Sequence, residues 1–195
     1  LRDGEILSRN EAATGKMLTD NSHLESIDQT DEKWKDYVRL YFRPRTPTQY
    51  NNEGFRPINQ RQLGGAHCPV PIYFLFDSES VLCRQGTLFS DGNLASLAGA
   101  LMYSDAEGFK NLPFESIYHV GPVYEPEKRS IIFHRCAEVV VPKRLDLSFL
   151  KFIWCRSEAE YTTLLYQLPA NLKRRWVKLK QFVSFTWAVL MRIEP

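Results

Sequence analysis

The sequence predicts a mixed α+β domain, and three observations carry that class. First, β-branched and aromatic residues gather in short runs bounded by proline, glycine or charge, which is how strands read: residues 37–42 (YVRLYF), 70–76 (VPIYFLF), 131–141 (IIFHRCAEVVV) and 147–156. Second, stretches with apolar residues at helical spacing separate these runs, most clearly SEAEYTTLLYQL from Ser157, with Glu160 at the capping-box position. Third, no Gly-rich dinucleotide fingerprint follows any strand, which argues against a Rossmann dehydrogenase.

A chain of 195 residues is long enough for one domain with a proper core, with or without a small appendage. Its hydrophobic share of 44% and charged share of 25% are ordinary for a globular protein. The net charge of +2 announces no nucleic-acid binder, so any such surface must be local. Cys68, Cys83, Cys136 and Cys155 lie too far apart for a CxxC pair or a zinc knuckle. They read as reduced, mostly buried thiols of a cytoplasmic protein, and no metal is expected. No apolar run reaches membrane length and no signal peptide is visible.

In chain order, LRDGEIL reads as a helix end with Gly4 as its cap. Residues 10–35 are polar with a weak helical pattern, either a mobile lid or an ordinary surface connection. Pro44 and Pro47 stop the run that starts at Tyr37, because neither ring offers an N–H to a ladder. Residues 51–67 have loop composition with one helical turn at most. The nearly continuous apolar run 70–76 predicts a strand buried on both faces, and 81–88 a second, shorter one. Ser90, Asp91, Gly92 and Asn93 make a turn that caps a helix predicted over 94–102, and 109–118 continues at helical spacing. A Gly/Pro/charge loop, 120–130, leads into the strand predicted over 131–141. After Pro169 a basic tail precedes a closing strand over 182–193.

Three places carry chemistry. Arg45 is held at a strand end by two prolines with no acidic neighbour in sequence, and its planar fork suits a phosphate or pyrophosphate. A surface arginine on a proline-rich loop is the competing reading. His134, Arg135 and Glu138 are polar within an apolar run, which calls for a reason unless that strand is an edge with one wet face. In the tail, Lys173, Arg174, Arg175, Lys178 and Lys180 surround Trp176. Charge for phosphates with a ring for stacking suits single-stranded nucleic acid, and a solvated basic face gives the same composition.

The stretch YVRLYFRPRTPTQY (37–50) resembles the signature of the DarT family, NAD-dependent ADP-ribosyltransferase toxins that modify bases in single-stranded DNA. CPVPIYFLFD with FSDGNLAS, within 68–96, resembles that family's central strand and loop, and RCAEVVVP (135–142) the strand bearing its catalytic glutamate. The resemblance spans about residues 1–168. It implies an ADP-ribosyltransferase-like α+β fold with a split, mostly antiparallel sheet and flanking helices, formed by the whole chain as one domain. It further implies Glu138 and Arg45 as catalytic residues, NAD as substrate with contacts from Arg45, Tyr41, Phe42 and Asn10, and nucleic-acid contacts from Arg135, Lys173, Arg174, Arg175 and Trp176. The partners implied are single-stranded DNA and an antitoxin that reverses or blocks the modification, with the enzyme a cytoplasmic monomer away from membranes. In the family a strand and helix precede the point where this chain begins, and the strand carries a histidine that contacts NAD. The chain begins without Met, so either that segment is missing or this member differs, and no residue can be carried over to that role.

The chemistry explains the glutamate. Breaking the nicotinamide bond of NAD builds positive charge at the ribose C1′. A fixed carboxylate stabilises that charge by accepting from the ribose 2′-OH and can also take the acceptor's proton. In the family the residue two before this glutamate is commonly a glutamine that assists with the acceptor. Here it is Cys136, a weak S–H donor, which leaves the choice of base open. ADP-ribosylation of RNA or protein is the alternative enzyme, and a non-catalytic single-stranded nucleic-acid-binding module is the alternative without chemistry.

Overall fold

Strand β1 is Glu5–Leu7, and Ser8 opens helix α1, Arg9–Thr14, because its hydroxyl accepts the Glu11 N–H at 3.3 Å. The structure, a computed structural model, describes residues 4–15, 28, 30–55, 57–61, 68–96, 99–168, 170, 173, 177 and 180–182. A 3₁₀ turn, Glu32–Asp36, leads into β2, Tyr37–Tyr41. Thr46 then caps α2, Pro47–Asn52, with Pro47 at the position where a missing N–H is harmless. There follow β3 (Tyr73–Phe76), α3 (Ser78–Leu82), β4 (Leu88–Ser90) and β5 (Met102–Tyr103). Next come α4 (Ala106–Lys110), α5 (Phe114–Ile117), α6 (Lys128–His134), β6 (Glu138–Pro142) and β7 (Arg144–Asp146). The chain continues through β8 (Leu150–Cys155) and α7 (Glu158–Gln167) to β9 (Lys180–Phe182).

These elements form two compact units, one of Leu1–Pro69 with Ser78–Phe149, the other of Val70–Asp77 with Leu150–Pro195. The first holds the antiparallel pair β1–β7 and a four-stranded antiparallel sheet ordered β2-β6-β4-β5. The second holds β3-β8-β9, whose β8–β9 pairing alone is parallel. The sheet is thus split and mostly antiparallel, as expected.

Register decides what each face of the four-stranded sheet carries. Tyr41 lies opposite Glu138 and Arg39 opposite Val140, so these four side chains share a face. Val140 is fully buried on that face against Trp34 and Leu94, with Tyr37, Leu88, Ala100 and Met102 round them. The opposite face carries Phe89, whose ring meets Phe109 edge-on at 5.5 Å, and Phe109 in turn meets Phe114 at 5.1 Å. In the second unit Ile153 and Cys155 of β8 are buried with Tyr161 and Leu168. Ser157 caps α7 as expected, accepting from the Glu160 N–H, while the Glu160 carboxylate reaches back to the Arg156 N–H at 2.9 Å.

Several sequence expectations give way to tertiary context. Residues 131–134 are helical, in α6, although isoleucine and phenylalanine favour strands; Ile131 N donates to Glu127 O and Arg135 N to Ile131 O, and the strand begins only at Glu138. That strand is internal and buried, so the edge-strand reading of 131–141 fails. Residues 78–82 are a helical turn with Val81 buried, and the second strand forms only at 88–90. No helix forms among the described residues of 94–102. Asn93 Oδ1 takes the Ala95 N–H at 2.9 Å, successive turns follow, and Gly99 adopts a positive φ of 74°. Strand β3 is half-buried throughout instead of enclosed on both faces. Glu5–Leu7 is a strand, and whatever precedes Gly4 lies outside the described residues, as do 16–27 of the expected lid. The expected closing strand is seen only at its start, in β9. Of the four thiols expected to be mostly buried, Cys136 and Cys155 are, whereas Cys83 is exposed and Cys68 half-buried. No helix among the described residues is long and apolar enough to cross a membrane.

Candidate active site

Glu138 opens β6, on the buried side of an internal strand, and is 1% exposed. Its backbone is pinned from β4: the Glu138 N–H donates to Ser90 Oγ at 3.0 Å, and that hydroxyl donates to the Gly92 carbonyl at 2.7 Å. Its carboxylate receives three donors. Arg39 reaches across from β2 with Nε 2.6 Å from Oε2 and Nη2 2.7 Å from Oε1, and the Leu94 N–H adds a bond to Oε1 at 3.2 Å. Two parallel charge-assisted bonds and a backbone donor are a strong hold on a buried acid. For Arg39, burial opposes the charge, but the hydrogen bonds and charge of Glu138 outweigh it and keep the guanidinium more firmly protonated. Among the described residues three donors fill three of the roughly four acceptor positions a carboxylate offers, which leaves one on Oε2.

Tyr41 stands directly across from Glu138 and hydrogen-bonds Thr48 of α2. Although much of its surface is open, desolvation of the phenol and then the Glu138 charge push its ionisation up, so it serves as a neutral donor or acceptor. Thr48 also bonds Cys136, which is 3% exposed; burial, outweighing that bond, pushes the thiol up and keeps it protonated. Phe42 turns to the other face, its ring 6.3 Å from Phe114 and 6.4 Å from Phe109.

Just past β2 the cations gather. Arg43 Nη1 donates to the carbonyls of Ile117 and His119, at 3.0 and 2.9 Å. Arg135, capping α6, places Nη2 2.7 Å from His119 Nδ1 and donates to Gly121 O at 3.0 Å, while its Nε is enclosed without a hydrogen-bond partner among the described residues. Burial, then the charges of Arg135 and Arg45, hold the Arg43 ionisation down. On the other side of Arg39 a cavity of about 280 Å³ is lined by Arg9, Thr30, Trp34, Lys35 and Tyr37 among others. Asn10 follows Arg9, its Nδ2 donating to Asp36 Oδ1 at 2.9 Å. Among the described residues no cluster of His, Cys, Asp and Glu is fit to hold a metal ion.

The structure therefore brings Glu138 and Tyr41 together and sets Arg45 and Arg135 beside Arg43. In the second unit Lys173 lies with Nζ 5.7 Å from the Tyr166 ring centroid, and Arg174, Arg175 and Trp176 lie outside the described residues. Sequence reasoning missed Arg39, Arg43, Thr48, the Leu94 N–H and the role of Ser90. Arg39 left one readable signal: a cation in the middle of a strand run, two residues from Tyr41 and so on its face, needs a counter-charge.

A family model described as ssDNA thymidine ADP-ribosyltransferase, DarT, matches residues 1–186. No curated protein matches by sequence. Among solved structures, Thermus sp. 2.9 DarT in complex with carba-NAD+ aligns with a TM-score of 0.64 at 17% identity, over 94% of this chain and 87% of that one. The same Thermus protein in complex with ADP-ribosylated ssDNA aligns with a TM-score of 0.66 at 18% identity, over 92% and 83%. Thermosipho africanus DarTG in complex with ADP-ribose aligns with a TM-score of 0.60 at 21% identity, over 83% of this chain but 42% of that one. At such identities the structural likeness is one of fold.

Proposed function

We propose, from the premise that this chain belongs to the DarT family of single-stranded-DNA thymidine ADP-ribosyltransferases, that Glu138 is its catalytic carboxylate and Arg45 its grip on NAD. The chain is an NAD-dependent enzyme that transfers ADP-ribose to single-stranded DNA. The observation that carries the residue assignment is the placement of Glu138: a carboxylate buried on an internal strand, pinned at its backbone and held at both oxygens.

In the reaction the bond between C1′ and the nicotinamide nitrogen breaks, and neutral nicotinamide leaves with the electron pair. Positive charge develops on the ribose, and Glu138 stabilises it through a hydrogen bond from the 2′-OH to the remaining acceptor position on Oε2. The acceptor base forms the new bond at C1′, and its proton passes to the Glu138 carboxylate and from there to water. Arg45, with Arg43 behind it, faces the NAD phosphates, where a planar fork matches the oxygens. The cavity beyond Arg39, bordered by Trp34 and Tyr37, is of a size for one half of the dinucleotide, and Asn10 stands at that side. Tyr41 orients the nicotinamide ribose, and Phe42 supports the strand from beneath through its ring contacts.

The family's description supports thymidine as the acceptor base. Cys136 is buried and bonded to Thr48, which supports discrimination by residues other than the one two before the glutamate. Arg135, and separately Lys173, Arg174, Arg175 and Trp176, engage the strand by phosphate contact and stacking. The enzyme acts as a cytoplasmic monomer. Its antitoxin reverses or blocks the modification, and for that partner the support is the longer Thermosipho DarTG, of which this chain covers under half.

The test is incubation with NAD and matched single-stranded DNA oligonucleotides differing in one base, an RNA counterpart and a carrier protein, followed by mass measurement of the products. ADP-ribose is expected on thymidine-containing DNA. Glu138→Gln is expected to slow transfer about 10²- to 10³-fold, as loss of a preorganised electrostatic group does, with NAD affinity and folding kept. Transfer at the wild-type rate by Glu138→Gln would overturn the assignment, and product on RNA or protein alone would overturn the acceptor.

A further inference from the structure

We propose that Arg39 is the positioning residue for the catalytic carboxylate: its guanidinium fork locks Glu138 in the one orientation that leaves an acceptor position on Oε2 for a substrate hydroxyl. This rests on the reading of Glu138 as the catalytic group. The two bonds, 2.6 Å from Nε to Oε2 and 2.7 Å from Nη2 to Oε1, form a bidentate pair. The Leu94 N–H takes a further position on Oε1 at 3.2 Å, so one oxygen has two donors and the other has one. Any rotation of the carboxylate breaks both fork bonds at once.

The sheet makes this fork possible. Arg39 lies opposite Val140 and Tyr41 opposite Glu138, so Arg39 is the diagonal neighbour of Glu138 on one face, a separation that a long side chain spans. The third nitrogen, Nη1, stands 3.5 Å from Thr30 Oγ1 on the side of the 280 Å³ cavity. The Arg39 side chain is 30% exposed and the Glu138 side chain 1%, so the arginine is enclosed where it meets the acid and open elsewhere. A buried carboxylate without a partner is costly, and a point charge neutralises it as well as a fork does. Only the fork fixes its plane, which is why lysine and arginine are not equivalent here.

Arg39→Lys, Arg39→Gln, Glu138→Gln and the Arg39→Lys/Glu138→Gln double variant are compared in the full-length protein. The readouts are single-turnover ADP-ribose transfer to a thymidine-containing oligonucleotide, NAD binding by calorimetry and thermal melting. Arg39→Lys is expected to fold and to bind NAD within about two-fold of wild type, yet to transfer about 10- to 100-fold more slowly, the scale set by a displacement near 1 Å. In the Glu138→Gln background the same change is expected to have no further effect on rate, since there is no carboxylate left to orient; a general structural role would lower the rate in both backgrounds. Should Arg39→Gln fail to fold, Arg39→Lys, which keeps the charge, carries the test. Wild-type or faster transfer by Arg39→Lys overturns the proposal, as does a loss of NAD affinity equal to the loss of rate, which would make Arg39 a substrate contact. If Glu138→Gln is itself fully active, the catalytic reading has failed; if it is inactive while Arg39→Lys is fully active, only the positioning role is lost.

Discussion

Arg45 sits between Pro44 and Pro47 beside the buried Thr46, which caps α2, so its backbone has little freedom. Burial first, and then the charges of Arg135 and Arg45, hold the Arg43 ionisation down. On the proposed reading Arg45, with Arg43 behind it, meets the NAD pyrophosphate, the anion the reaction supplies. Arg45→Lys keeps the charge and loses the planar fork. A charge-assisted bond is worth about 1.5–3 kcal/mol, so NAD affinity is expected to fall about 10- to 100-fold, with a parallel loss in transfer at subsaturating NAD. Calorimetry on the folded variant checks this, and an unchanged dissociation constant excludes the role. Arg45 and Glu138 came into view through the family resemblance at RPRTP and RCAE, since local sequence alone left the first a surface arginine and the second a charge in an apolar run. Arg39 did not, because what explains it stands 99 positions away and only the β2–β6 register joins them.

The segment joining β4 to β5 shows how an element escapes the sequence. Its apolar spacing over 94–102 reads as a helix, yet Glu138 claims the Leu94 N–H, Asn93 claims that of Ala95, and Gly99 turns the chain. Local pattern predicts local bonds, and this loop gives its first donor to a distant strand. The reverse happens at 131–134, where β-formers are helical and Phe133 lies over Gly92. A Cβ at Gly92 would stand 2.1 Å from the Phe133 ring, far inside contact distance. Gly92→Ala is therefore expected to destabilise by about 1–3 kcal/mol, as overpacking does, and to lower transfer by moving the Leu94 donor and the carbonyl that anchors Ser90. Adding Phe133→Ala is expected to restore part of both, so a double-mutant cycle in urea denaturation and turnover reads the coupling directly. Additive losses would show that the ring contact is not the cause. The core strands β2 and β8, and the second half of the run that holds β6, were legible because their runs are long and proline- or charge-bounded. Helix α5 lies within the helical spacing of 109–118; α4 starts earlier, where the Asp105 carboxylate caps it by accepting the Gly108 N–H.

At the scale of the whole molecule, each compact unit holds particular thiols and phenols in the protonated form. Burial pushes up the thiol of Cys136 in the first unit and, together with the nearby Glu160 charge, that of Cys155 in the second. Desolvation likewise raises Tyr41, Tyr118 and Tyr161. In an unfolded chain thiols ionise near about 8.5 and tyrosines near about 10. Above those values the unfolded chain has released protons that the folded chain still binds, so unfolding is accompanied by proton loss and rising pH favours it. These groups thus contribute stability that is fully present below about pH 8.5 and is lost as pH climbs toward their folded ionisation, thiols first and phenols after. The urea midpoint is expected to be flat from neutral pH to about 8 and then to fall steadily. Cys136→Ala/Cys155→Ala, whatever its stability at neutral pH, is expected to flatten the first part of that fall while leaving the part above about pH 10 to the tyrosines. A midpoint that holds constant to about pH 10 in the wild-type protein, or an identical decline in the double variant, would show that the buried thiols do not set the alkaline limit of this fold.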